Sequence, residues 1–265
     1  MTARSTVVYL PGAGGLSPDL SVLREGPDDT TDFVVLSYPG WQRYSAADFT
    51  PRALVSELTD AAEAAVPTGA VELLGMSIGG HFCYAIALEL LSRGRQVAGV
   101  CLIDSFMVHS SGPRAGWVRR AVADSVDLLR RRRFGDFLRQ LLAKVYRAGL
   151  RVMGSALAPL LRGRGQGIAD PVLEAEISMR LLLRATAPWL AALDRDPLAL
   201  DVPVALLRTP LTAGDDPAWR RRCPRIRIRE VQGGHQTLFE PEFVEDLRSA
   251  FHAARRDWGL SLGQR

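Results

Sequence analysis

The chain predicts an α/β fold, with a mostly parallel central sheet flanked by helices and a helical lid insertion. Three observations predict it. Short apolar runs bounded by glycine, proline or aspartate recur along the chain. Helical apolar patterns lie between them, which is the alternation that builds a parallel sheet covered on both faces. The strand signal then stops near residue 110 and resumes at Val202, leaving a long helical stretch between.

Each element follows in order. Residues 7–10 read as a buried strand running into the loop Pro11-Gly12-Ala13-Gly14-Gly15. Residues 33–37 read as a second strand, ended by Tyr38-Pro39-Gly40. Thr50-Pro51 opens a helix, with Thr as the cap and Pro at the first helical position. Leu54, Leu58, Ala61 and Ala62 continue it at helical spacing. Residues 71–74 form a third strand, residues 79–91 an apolar helix closed by Arg93-Gly94, and residues 97–103 a fourth strand ending at Asp104. After the insertion come strands at residues 204–207 and 226–231 and a closing helix at 241–258, capped by Glu240 or the residues just before it. The expected division is a core of residues 1–106 and 200–265 and a helical lid of residues 107–199. In such sheets ligands bind beyond the carboxyl ends of the strands, and an insertion there covers the site.

Composition sets the class. The chain has 265 residues, 47% hydrophobic and 23% charged, which suits a soluble globular protein with a large core. Its three cysteines are widely spaced and make neither a disulfide framework nor a zinc pattern, so a reducing cytoplasm is the expected setting and no metal is expected. The apolar run at residues 7–10 is too short for a signal peptide. No stretch of about 18 apolar residues suggests a membrane span.

The chemistry concentrates at Gly75-Met76-Ser77-Ile78-Gly79-Gly80, which matches G-x-S-x-G between a strand and a helix. A serine on such a strained turn is lifted clear of the sheet. The helix N-terminus behind Ser77 favours a developing negative charge, and the Ile78 N–H is placed to donate to an oxyanion. A second donor is expected from the loop after the first strand, with Ala13 the first choice and Gly12 the second. A serine in a glycine turn without chemistry is the bland alternative; the strand, the helix and the downstream partners argue against it.

Serine needs a base, and the base needs an orienting acid. His235, in Gln232-Gly233-Gly234-His235-Gln236, lies on the loop between the last strand and the last helix, where an α/β-hydrolase delivers its histidine. His252 reads as a surface or packing residue of a helix, His109 begins the insertion, and His81 on the helix after the elbow is poorly placed to reach the hydroxyl. For the acid, Asp104 closes the fourth strand while Asp215 and Asp216 follow the fifth. Both places keep the order Ser, Asp, His, and on these grounds the two are near parity.

Leu10-Pro11-Gly12-Ala13-Gly14-Gly15, the elbow, the run from Gly94 to Asp104 and Gly233-Gly234-His235 together resemble the type I thioesterase domains that end polyketide and nonribosomal peptide assembly lines, members of the α/β-hydrolase superfamily. The resemblance covers roughly residues 5–106 and 202–257, the expected core. It implies an α/β-hydrolase fold and an acyl-serine mechanism. The substrate would be an acyl thioester on the phosphopantetheine arm of an acyl or peptidyl carrier protein or domain, with no further cofactor. Release would come by hydrolysis or by macrocyclisation. In release domains the acid ends the strand after the elbow helix, 27 residues beyond the serine, and Asp104 stands 27 residues beyond Ser77. The resemblance therefore implies Asp104; Asp215 corresponds to the later acid of stand-alone editing thioesterases. Met76 departs from the more usual histidine of the elbow. An editing thioesterase, a general esterase and an acyltransferase share the triad. A non-catalytic binding module would lack a member of it, and none is missing here.

The insertion is basic. From Ser110 to Asp170 there are 13 Lys or Arg against 4 Asp or Glu, a local charge of +9 in a chain of +4. Arg130-Arg131-Arg132-Arg133 is its densest run. A solvated helix face is the common fate of such runs. No aromatic interleaving points to nucleic acid. The functional reading is steering of an acidic carrier domain or an anionic substrate group. Apolar residues such as Val118, Val122, Leu129, Phe134 and Leu138 alternate with the charges, as in a lid with an apolar inner face. Trp117 and Trp189 are candidates for a pocket lining, with core packing the plainer reading of both.

Overall fold

Strands covered by helices on both faces must be largely apolar on both faces, and the central strands are. Every residue of β4 (Val97–Ile103) and of β5 (Val204–Arg208) is buried, as are Val7 to Leu10 of β1 (Thr6–Leu10). The computed structural model describes residues 5–15, 17–26, 29–105, 171–195, 197–210, 212 and 216–262. Most of the expected lid, residues 107–170, lies outside the described residues, including Trp117, His109 and the Arg130–Arg133 run.

The six strands pair in parallel in the order β2-β1-β3-β4-β5-β6, with β2 at Asp32–Val35, β3 at Val71–Met76 and β6 at Ile226–Glu230. The chain moves outward from β1 to β2 and then returns to the other side of β1 with β3. The order therefore reverses between β1 and β3, and the crevice beyond their carboxyl ends is where a parallel sheet receives a ligand. The loop after β1 and Ser77 after β3 flank that crevice.

Successive strand residues point to opposite faces, so the sheet divides the core in two. Val8, Leu10, Leu73, Val100, Leu102 and Leu206 face one layer with α2 (Pro51–Ala65), α3 (Ile78–Ser92) and α5 (Pro217–Arg222). Val7, Tyr9, Leu74, Cys101, Ile103 and Leu207 face the other layer with α6 (Val244–Leu262) and the short 3-10 helix Leu20–Leu23. A brief α1 (Trp41–Ser45) precedes α2. α4 (Pro171–Arg195) sends Leu182 and Leu190 into the first layer, with Trp189 packed against it. Residues 175–195 thus belong to the same compact unit as the sheet, although the sequence division assigned them to the lid.

Local chemistry starts the helices. Thr50 Oγ1 accepts from the Ala53 N–H at 3.1 Å, with Pro51 at the first turn. Asp216 Oδ1 accepts from the Trp219 N–H at 3.1 Å, with Pro217 in the same place. Each such cap stabilises its helix by about 1 kcal/mol. Two of the boundaries that differ from expectation have a local cause. β2 ends at Val35, because beyond Leu36 the chain turns so that Tyr38 bonds the loop after β1. The last helix begins at Val244 rather than Pro241, because Gly234 to Phe243 wind into turns, with Thr237 and Leu238 N–H groups donating to the Gly234 carbonyl.

Candidate active site

β3 passes into α3 through Ser77, whose φ of 55° and ψ of −121° lie in a region that costs a non-glycine residue about 1–3 kcal/mol. The turn survives because its neighbours are small. A Cβ on Gly75 would stand 2.5 Å from the Gly79 carbonyl oxygen, and one on Gly79 would stand 2.3 Å from the Leu10 carbonyl oxygen. α3 can therefore start against the end of β1. The Ser77 N–H donates to the Ile103 carbonyl at 2.9 Å, which fixes the elbow to the end of β4. Ile78 opens the 15-residue α3, whose first-turn N–H groups and macrodipole face that end of the helix.

The loop after β1 runs beside the serine. A Cβ on Gly12 would lie 3.6 Å from that of Ser77, and Ala13 packs half-buried on the first core layer. Tyr38 Oη donates to the Pro11 carbonyl at 2.8 Å and holds this loop. Burial keeps the Tyr38 phenol well above its ordinary range, so it is a neutral donor. Its ring packs on Phe82, and Phe82 stacks on Trp189 at 5.3 Å.

Asp104 directly follows β4, with a φ of 44°. It and Ser77 are the only non-glycine residues with positive φ among the described residues. Strain of this kind concentrates at functional sites, and here both instances sit on neighbouring strand ends. Asp104 is 1% exposed. Its Oδ2 lies 2.6 Å from His235 Nδ1. Its Oδ1 accepts from Thr212 Oγ1 at 2.5 Å, Thr209 Oγ1 at 3.2 Å and the Thr209 N–H at 3.4 Å. Burial pushes the carboxyl up, yet the His235 hydrogen bond and charge together with the threonine donors outweigh it and hold it below its usual value. An ionised carboxylate can only accept, so the proton between them sits on His235 Nδ1 and Nε2 is the basic nitrogen.

The strand ends thus bring His235 to Asp104 and the Gly12-Ala13 loop to Ser77, with Ser77 and Asp104 directly following the neighbouring strands β3 and β4. Asp215 lies outside the described residues. Asp216 is buried, caps α5 and lies 3.7 Å from Arg208. His81 is buried and stacks on Trp219 with Nδ1 3.4 Å from an Arg222 nitrogen; His252 is buried with Nε2 2.7 Å from the Leu23 carbonyl. All three cysteines are buried, and burial pushes each thiol up, Cys223 to about 12, so none offers a thiolate. Among the described residues no cluster of His, Cys, Asp and Glu could hold a metal, and no helix is long and apolar enough to cross a membrane.

Sequence reasoning missed Thr209 and Thr212. It also missed Trp219, whose Nε1–H donates to the Ser105 carbonyl at 2.7 Å and supports the residue after Asp104. The available signal was the two threonines that directly follow the buried strand β5, in Thr209-Pro210-Leu211-Thr212.

Residues 5–254 match the family model of the thioesterase domain. The NocB thioesterase domain from the nocardicin cluster is 23% identical, with 94% of this chain and 93% of that chain covered and a TM-score of 0.58. The wild-type Vlm2 thioesterase domain is 17% identical, with 92% and 90% covered and a TM-score of 0.56. A four-domain nonribosomal peptide synthetase, holo-AB3403, is 16% identical at a TM-score of 0.57; the match covers 93% of this chain and 19% of that one. No curated protein sequence matches the chain. The six-stranded parallel sheet and its flanking helices are the α/β-hydrolase fold that those thioesterase domains share. By the match over residues 5–254, the chain belongs to the thioesterase domain family.

Proposed function

We propose that the chain releases an acyl or peptidyl group from a phosphopantetheine thioester on a carrier protein or domain, in polyketide or nonribosomal peptide biosynthesis, through an acyl-serine at Ser77. The observation that carries the reading is the His235–Asp104 pair, fixed at the strand-end edge that also holds Ser77 on its strained elbow. Membership of the thioesterase family and the likeness to NocB and Vlm2 support the substrate class. The NocB domain is known in covalent complex with a fluorophosphonate nocardicin G analog. Vlm2 carrying 2,3-diaminopropionic acid is known bound with a dodecadepsipeptide.

In the first half, His235 Nε2 takes the Ser77 proton as Oγ bonds to the thioester carbon. The carbonyl oxygen becomes an oxyanion held by the Ile78 and Ala13 N–H groups. The tetrahedral centre then expels the thiolate sulfur, which takes the proton back from His235 and leaves the acyl group on Ser77. In the second half, water, or a hydroxyl or amine of the acyl chain itself, gives its proton to His235 and attacks the ester carbon. The Ser77–acyl bond breaks and Ser77 recovers a proton. Water yields a free acid; an internal nucleophile yields a macrocycle. No metal or further cofactor takes part in this scheme, since the carrier's arm belongs to the substrate.

The test compares an acyl-phosphopantetheinyl carrier protein with a short oxyester of the same acyl group. The expected result is faster release from the carrier, abolished in Ser77→Ala. Equal or faster turnover of the oxyester, without dependence on the carrier, would instead mark a general esterase.

A further inference from the structure

We propose that Thr209 and Thr212, on the loop after β5, are positioning residues that hold the Asp104 carboxylate so that one oxygen alone is presented to His235. This rests on the proposed reading that His235 is the base and Asp104 its orienting acid. Neither threonine lies near Asp104 in sequence, and neither belongs to the elbow or to the histidine loop.

The geometry divides the carboxylate in two. Oδ2 meets only His235 among the bonds described above, whereas Oδ1 meets the β5 loop through Thr212 Oγ1, Thr209 Oγ1 and the Thr209 N–H. All three residues of this cluster are buried, with Asp104 and Thr209 each 1% exposed. The loop is itself held. The Thr212 N–H donates to the Thr209 carbonyl at 2.9 Å, and the Asp104 N–H donates to the Leu207 carbonyl at 2.7 Å, which carries the β4–β5 pairing past the strand ends.

Each hydroxyl has one proton to give. The Thr212 hydroxyl lies 2.5 Å from Oδ1 and 3.1 Å from the Thr209 carbonyl, and the ionised acceptor is both nearer and stronger. The Thr209 hydroxyl, 3.2 Å from both Oδ1 and Thr212 Oγ1, supports the same oxygen directly or through its neighbour. A carboxylate held this way does not rotate about its Cβ–Cγ bond, so the imidazole keeps one orientation and Nδ1 keeps its proton. The same donors offset the cost of burying the charge.

The test uses the full chain with Thr212→Val, Thr209→Val and Thr212→Ser, a small acyl thioester as substrate, and the Asp104 carboxyl titration followed by 13C NMR, with Asp104→Asn identifying its signal. Thr212→Val should lower kcat about tenfold with KM little changed, as expected for one charge-assisted hydrogen bond. The Asp104 midpoint should rise by about one pH unit. Thr212→Ser keeps the hydroxyl and should stay near wild type in both readouts. Thr209→Val should shift both in the same direction by less, because its N–H still donates, and it serves where Thr212→Val does not fold. Wild-type kcat and an unmoved midpoint in the folded valine variants would overturn the proposal, as would a serine variant as slow as the valine one. Ser77→Ala, assayed alongside, reports separately on the catalytic reading: full turnover there sinks that reading, while the carboxyl titration still decides what the threonines do to Asp104.

Discussion

His235 Nδ1 lies 2.6 Å from Asp104 Oδ2, although the two residues are 131 positions apart. Two loops at the carboxyl edge of one sheet make the contact, one after β4 and one after β6. Asp104 reaches it from a backbone conformation that aspartate seldom adopts, with the rest of its carboxylate already engaged by the β5 loop. That arrangement has consequences for rate, for acid stability and for the neighbouring loops.

Asp104→Asn keeps the size of the side chain and loses the charge. Its amide can present NH2 to Nδ1 and so favour the wrong tautomer of His235. Acyl release should fall by about 10²–10⁴-fold. Asp215→Asn should stay within a few fold of wild type in the same steady-state assay. The reverse pattern would move the acid to the β5 loop.

Acid stability should carry the mark of the same carboxylate. Unfolded, an aspartate titrates near about 3.9; folded, Asp104 titrates lower. The unfolded chain therefore binds more protons in the window between, and stability rises with pH there. The contribution is fully present above the unfolded value and is lost as pH falls through the folded one. Urea midpoints of wild type and Asp104→Asn should thus converge as pH falls from neutral through and below the unfolded value, whereas a gap that stays constant would contradict the assignment.

The tightness of the elbow predicts a contrast between two glycines. A Cβ on Gly79 would meet the Leu10 and Pro11 carbonyl oxygens at 2.3 and 2.6 Å, and backbone cannot move aside cheaply. Gly79→Ala should cost about 3 kcal/mol of stability and most of the activity. Gly14→Ala, with nothing within 4 Å, should change stability by no more than about 0.5 kcal/mol. Thermal melts of the two variants check this directly.

Tyr38→Phe removes the hydroxyl that holds the Pro11 carbonyl at 2.8 Å. The stability cost should be about 1 kcal/mol. Because this loop carries Ala13, the proposed second oxyanion donor, kcat should also fall about three- to tenfold with KM little changed. A variant with lowered melting temperature and wild-type kcat would separate the loop from the chemistry.

Much of this edge was legible in the sequence because its markers are local. Gly75-Met76-Ser77-Ile78-Gly79 names its own strand–turn–helix context, and His235 follows a strand in the order the motif requires; Asp104 and Asp215 both fit that order, and the family resemblance alone favoured Asp104. The threonines were not legible, since Thr212 and Asp104 are 108 positions apart and no periodicity links them. Arg222 was hidden for another reason. Hydropathy places arginine at the surface, yet this one is 1% exposed, its guanidinium lying over the rings of Tyr84 and Trp219 at 5.3 and 5.2 Å. α1 and α5, of five and six residues, are too short to show a helical period. Residues 175–195 share the amphipathic pattern of the insertion, and only packing shows that Leu182 and Leu190 belong to the sheet's core.

The most direct test of the central claim is the intact mass of the chain after incubation with an acyl thioester. The account predicts an added mass equal to the acyl group less one hydrogen, mapped to the peptide containing Ser77, and no adduct with Ser77→Ala. An adduct of the same yield in Ser77→Ala, or full turnover by that variant, would contradict it.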